Sequence, residues 1–167
     1  MGSPNEPTLA DDEAELARIS ELLLAKLVAV IPEWVARTLR ETVASASPDG
    51  AQVAASEPDV ASVVESTVAR VMPSLQAVLA ADVDAGAGSP LEVLRQGVGP
   101  MTSLLQQQRV APPPIDEFVA RRFPDDPYQL GPATFADVDP ELHELGLMWG
   151  AARAHVHLRR RREAAHG

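Results

Sequence analysis

Residues 142–158 hold the polar side chains and glycines best spaced to build a site. Wound as a helix at about 100° per residue, they put His143, Gly146, Gly150, Arg153 and His157 on one stripe about 80° wide. Glycines four residues apart let a second backbone or a ligand come close. Arg153 supplies a guanidinium fork that fits a carboxylate through two parallel hydrogen bonds. Nearby in sequence, Arg121, Arg122, Asp125, Tyr128 and Trp149 add charge and aromatic surface. The site expected from these residues is a groove on the last helix, covered by segment 123–138. In its empty state Asp125 and Asp126 would fill the Arg153 fork, and an anionic ligand or partner would displace them. Gly150→Leu would then overpack the groove.

Other chemistries lack their residues. The chain has no cysteine, which excludes disulfides, thiolate metal sites and a cysteine nucleophile. His155 and His157 lie two apart on a helix, so they point about 200° apart and cannot share one ion. His143 and His157 share a face but stand roughly 21 Å apart along it. Asp82-Val83-Asp84 opens like a calcium loop, yet Ala87 stands where that loop needs glycine and Val93 where it needs glutamate. No G-x-S-x-G elbow occurs, and Gly97-Val98-Gly99 runs into Pro100 rather than into a phosphate-binding sequence. Lys26, the single lysine, sits in an apolar helical run and reads as a stem lying along the core edge. No catalytic residue, metal or cofactor is expected, and the reading leans away from an enzyme.

Charge narrows the partners. The net charge is −10, and residues 1–67 hold twelve acids against four bases. An acidic chain repels nucleic acid and anionic membrane. The one local reversal is Arg159 to Arg162, which suits a helix C-terminus or an acidic partner, such as the acidic half of another copy. The longest apolar run, Leu22 to Ile31, is interrupted by Lys26 and is too short to span a bilayer. No basic region followed by an apolar run opens the chain, so a cytoplasmic location is expected.

The elements that must position the site read as helices. Aromatic residues are 4% of the chain, so the core must be mostly Leu, Val and Ala. Residues 1–8 read as disordered. A first helix is expected from Thr8 to Ala46, with Leu16, Ile19, Leu23, Leu27, Val30 and Trp34 as its apolar face. Ser47-Pro48-Asp49-Gly50 reads as a turn. A second helix is expected over Glu57–Ala81, with Pro58 at its first position and Val64, Val68, Val71, Leu75 and Val78 inward. A third is capped by Ser89 and buries Leu91, Leu94, Val98, Met101 and Leu105 before the polar tract Gln106 to Gln108. Pro32, Pro73 and Pro100 fall inside these three stretches, and each should kink its helix.

After Pro112-Pro113-Pro114, an extended connector, a short helix spans about Ile115 to Arg122. Segment 123–138 lacks helical periodicity but carries Phe123, Tyr128 and Phe135, which should pin it to the bundle. Asp139-Pro140-Glu141 starts a last helix running to about Ala164. Leu142, Leu145, Trp149, Ala152 and Val156 form one apolar face of it, and Leu147, Ala151, Ala154 and Leu158 a second. Two apolar faces predict a central helix. The expected architecture is an all-α, single-domain bundle of about five helices over 9–167. Residues 9–108 form a kinked three-helix part, and 115–167 the short helix, long loop and last helix. The expected function is a non-enzymatic interaction or regulatory domain that self-associates or binds another protein. The alternative is a small-molecule sensor with a pocket between bent helices, taking a small anionic ligand.

Overall fold

Apolar residues at spacings of three and four put helices wherever the chain lacks glycine or proline clusters. The computed structural model describes residues 6–46 and 56–167. The first five residues of the expected disordered tail, and the expected turn at 47–50, lie outside the described residues. Among the described residues the regular structure is helical throughout. The helices are α1 (Leu9–Ala46), α2 (Glu57–Ala80), α3 (Pro90–Gln96), α4 (Gly99–Gln107), α5 (Glu117–Arg122), α6 (Phe135–Val138) and α7 (Leu142–His166).

Side-chain caps fix the starts. Thr8 Oγ1 accepts from Asp11 N at 3.2 Å, and Asp11 Oδ2 accepts from Thr8 N at 2.7 Å, a reciprocal pair that begins α1. Ser56 and Ser89 accept from Asp59 N and Glu92 N at the heads of α2 and α3. Pro58 occupies the second helical position of α2, not the first.

Pro32 and Pro73 lie inside α1 and α2, as their flanking periodicity predicts. Both prolines are exposed, and so are Val28 and Ala69, whose carbonyls they strand. Water can take those carbonyls, which lowers the cost of an internal proline. Pro100 behaves differently. The expected third helix is two helices, broken at Gly97-Val98, and Pro100 stands in the first turn of α4, where its missing N–H costs nothing. Gly97 is buried with Val71 of α2 on top of it, too close for any side chain. The break changes the buried set: Val93 is buried with Leu94, Val98, Met101 and Leu105, while Leu91 is only half-buried.

One core joins these elements. α1 packs against α2 on one side and α7 on another, and α3 and α4 close over α2. Leu23, Leu27, Leu75, Leu94, Leu105 and Leu142 have no exposed surface. Each such burial is worth about 1.5–3 kcal/mol, so the core is the main stabilising term. Segment 123–138 is ordered on it: Tyr128, Leu130 and Val138 are buried, and its last four residues form α6.

α7 is not central. Its first apolar face is inward, with Leu142, Trp149 and Val156 buried. Its second is outward: Leu147, Ala151, Ala154 and Leu158 are all exposed. A helix on one side of a bundle finds neighbours for one stripe only, and α7 meets α1 and α6.

Candidate functional site

α7 is held along its inner face and at its C-terminal end, and the expected stripe is divided by that attachment. Trp149 is buried and its Nε1 donates to Ser20 Oγ of α1 at 3.1 Å. Arg153 lies over the Trp149 ring, 5.0 Å from its centroid, and its Nη1 is 3.4 Å from the Ala81 carbonyl. Gly146 is buried beneath Phe135 of α6, and a Cβ on it would stand 2.7 Å from Phe135 Cγ. Gly150, one turn on, faces open space, with nothing within 4 Å of where a Cβ would be. His143 is exposed. His157 Nδ1 lies 2.6 Å from Asp84 Oδ1, on the loop that follows α2.

The groove expected over the whole stripe is therefore reduced to one contact, Phe135 on Gly146. Arg153 does not meet Asp125 or Asp126. Asp126 instead accepts from Leu130 N and Gly131 N, each at 2.8 Å, and so closes its own turn. The reason is short range: a carboxylate in a turn reaches nearby amides before it reaches a helix packed elsewhere. Tyr128 is buried, with its hydroxyl donating to the Val110 carbonyl at 2.7 Å, so it anchors its segment rather than forming surface. Arg121 pairs with Glu117 along α5 at 2.6 Å.

Sequence reasoning missed where the arginine run goes. Arg160 donates through Nε and Nη2 to Glu13 at 2.9 and 2.7 Å, and through Nη1 to Asp82 at 2.7 Å and Asp84 at 3.1 Å. Arg159 Nη1 donates to Asp12 Oδ2 at 2.7 Å, and His155 Nε2 lies 3.1 Å from the same oxygen. The acidic start of α1 and the loop after α2 thus clamp the end of α7 within one chain. Two residues of the run, Arg159 and Arg160, meet acids of their own chain. The signal was present in the opposed charges of Asp11-Asp12-Glu13 and Arg159 to Arg162, but pairing them needs the antiparallel packing of α1 and α7. The Arg160 guanidinium, and for Asp84 first the His157 ring, hold the Asp82 and Asp84 carboxyls below their ordinary range. The three carboxylates in turn raise the Arg160 guanidinium's hold on its proton.

A second feature lies where α3 and α4 meet the segment after α5. A cleft of about 640 Å³ is lined by Arg70, Arg95, Arg122, Phe123 and Asp125, among others. Arg95 and Arg122 stand 5.6 and 5.3 Å from the centroid of Phe123. Arg95 is fixed further by donating to the Pro132 carbonyl at 2.8 Å. Among the described residues no three histidine, aspartate or glutamate side chains are grouped to hold a metal ion. No helix among them is long and apolar enough to cross a membrane. Comparison with known protein families, with curated proteins and with solved structures finds no match to this chain.

Proposed function

We propose that this chain is a non-enzymatic protein-interaction domain that self-associates through the outer face of α7. One observation carries the reading. Leu147 and Leu158 are 59% and 52% exposed, on one line of a helix whose inner face and C-terminal end are both fixed. Single exposed leucines are ordinary, but a line of them on a rigid helix is the pattern that interaction helices use. Met148, 46% exposed, widens the same surface. The net charge of −10 argues against nucleic acid as the partner. Light scattering across a concentration series tests the reading. The wild type is expected to gain mass with concentration, and Leu147→Glu/Leu158→Glu is expected to stay monomeric with an unchanged circular dichroism spectrum. A wild type that remains monomeric throughout the series overturns it.

A second reading rests on the cleft beside α2. Arg70 and Arg122 line it and take part in none of the ion pairs among the described residues. Glu92, Asp125 and Asp126 line the same cleft, so the two guanidinium groups suit a small polar molecule that carries an anionic group better than an apolar one. Native mass spectrometry of the purified protein would find a retained anion, and Arg70→Ala/Arg122→Ala would lose it. Absence of any retained or added anion at micromolar concentration removes this reading.

A further inference from the structure

The outer face of α7 has an order that a simple apolar patch lacks. Glu144, Leu147, Ala151, Ala154, Leu158 and Arg161 follow one another at steps of three, four, three, four and three. Alternating steps of three and four are the seam of a two-helix coil. All six residues are exposed. The order of side chains is the same from either end, leucine then alanine, then alanine then leucine. Only the charges at the two ends are opposite.

That arrangement selects its occupant. We infer that two copies pair their α7 helices antiparallel, about a two-fold axis passing between residues 152 and 153. Leu147 then meets the partner's Leu158, and Ala151 meets the partner's Ala154. Glu144 meets the partner's Arg161, and two-fold symmetry repeats each contact. A parallel pair would instead set glutamate against glutamate and arginine against arginine at the ends of the seam. An unrelated partner would have no reason to require a face that is complementary to itself.

The remaining details agree with this pairing. Alanine at both central positions lets the helix axes approach to about 8 Å, the close end of helix packing. Gly150 flanks the seam and presents no side chain to hold the helices apart. Arg159 and Arg160 are engaged with Asp12, Glu13, Asp82 and Asp84, but Arg161 and Glu144 take part in none of the ion pairs among the described residues. The clamp thus sorts the arginine run: two residues fix the helix and a third is left for the partner. The seam is about 26 Å long, from Glu144 to Arg161, so its area is modest and the expected affinity is micromolar.

The inference rests on the reading of this face as a self-association surface, and cross-linking separates the two. The chain has no cysteine to give a background. Ala151→Cys/Ala154→Cys is expected to form a covalent dimer under mild oxidation. Leu147→Cys alone is not, because the antiparallel pairing holds the two copies of residue 147 roughly 16 Å apart. Charge reversal gives an independent check by sedimentation. Glu144→Arg or Arg161→Glu alone is expected to weaken the dimer about tenfold, and the two together to restore it. If Leu147→Cys alone cross-links, or the double reversal is no better than either single one, the antiparallel seam is wrong although self-association stands. A wild type that is monomeric throughout removes both.

Discussion

The two faces of α7 carry similar side chains and have opposite fates. Inward, Leu142, Gly146, Trp149 and Val156 are buried against α1 and α6. Outward, Leu147, Ala151, Ala154 and Leu158 are exposed. Periodicity alone cannot rank them, because each is an apolar stripe at helical spacing. What distinguishes them is what the rest of the chain offers. α1 presents an apolar face and Ser20 to the inner stripe, while among the described residues no element covers the outer one. An apolar stripe is therefore evidence of burial against something, and the fold decides whether that something is in the same chain.

The sharpest test of this contrast compares Leu142 with Leu147. Leu142 is fully buried, and Leu142→Ala should cost about 2–5 kcal/mol of folding stability. Leu147→Ala should change the stability of the monomer by less than about 0.5 kcal/mol. Urea unfolding at low protein concentration measures both. Equal losses at the two positions would mean that the outer face is covered within the chain.

Gly146 carries the next largest effect. Phe135 lies so close that an added Cβ would have to push α6 away from α7. Gly146→Ala should destabilise by about 1–3 kcal/mol through overpacking, although alanine is the better helix former. Thermal unfolding of Gly146→Ala beside Gly146→Ala/Phe135→Leu would show the clash relieved in the double variant. If Gly146→Ala is stabilising instead, α6 does not press on α7.

How much of this was legible follows from the range of each interaction. Caps act over a few residues, so those at Thr8 and Ser89 are legible in sequence. The anchoring of Tyr128 is legible only as an aromatic residue in an irregular segment, not in its partner, Val110. The interruption at Gly97 is legible only in part, because it also answers to Val71, which is distant in sequence. Pro32 and Pro100 both have apolar residues at helical spacing on either side, although two glycines, Gly97 and Gly99, precede Pro100. At Pro100 the glycines weaken the helix and Gly97 sits directly on Val71 of α2, where the helix breaks. Arg153 illustrates the same limit: the nearest irregular segment offers it Asp125 and Asp126, while the fold gives it Trp149 and the Ala81 carbonyl. The stripe lies on α7, but which of its members face protein and which face water depends on where α6 and the loop after α2 fall.

The clamp at the end of α7 gives a smaller effect with a clear signature. Asp82 and Asp84 have carboxyl groups held below their ordinary value of 3.8 by Arg160 and His157. A lowered folded value means that their contribution is whole above pH 3.8 and is lost as pH falls through the lower folded values. Arg160→Ala should therefore lower the melting temperature at pH 7, and the gap to wild type should close as the solution is acidified below that range. The exposed setting adds a salt dependence, so the gap should also narrow in about 1 M sodium chloride. A gap that persists in both conditions would mean that Arg160 stabilises by packing its stem and not by its charge.

The smallest effect separates the two glycines of the stripe. Sequence spacing treats Gly146 and Gly150 alike, and a groove over the whole stripe predicts that any side chain at Gly150 is harmful. The fold places nothing within 4 Å of a Cβ there. Gly150 is also helical, so its only intrinsic effect is the entropy lost when a glycine is fixed in a helix. Gly150→Ala should accordingly stabilise the monomer by about 0.5–1 kcal/mol, the ordinary difference between the two residues inside a helix. Thermal unfolding at low protein concentration should show a rise of a few degrees, opposite in sign to Gly146→Ala one turn away. If both substitutions lower the melting temperature, a loop or a second chain already covers Gly150 in solution. The boundary between the inner and outer faces of α7 would then have to be redrawn to put that glycine inside.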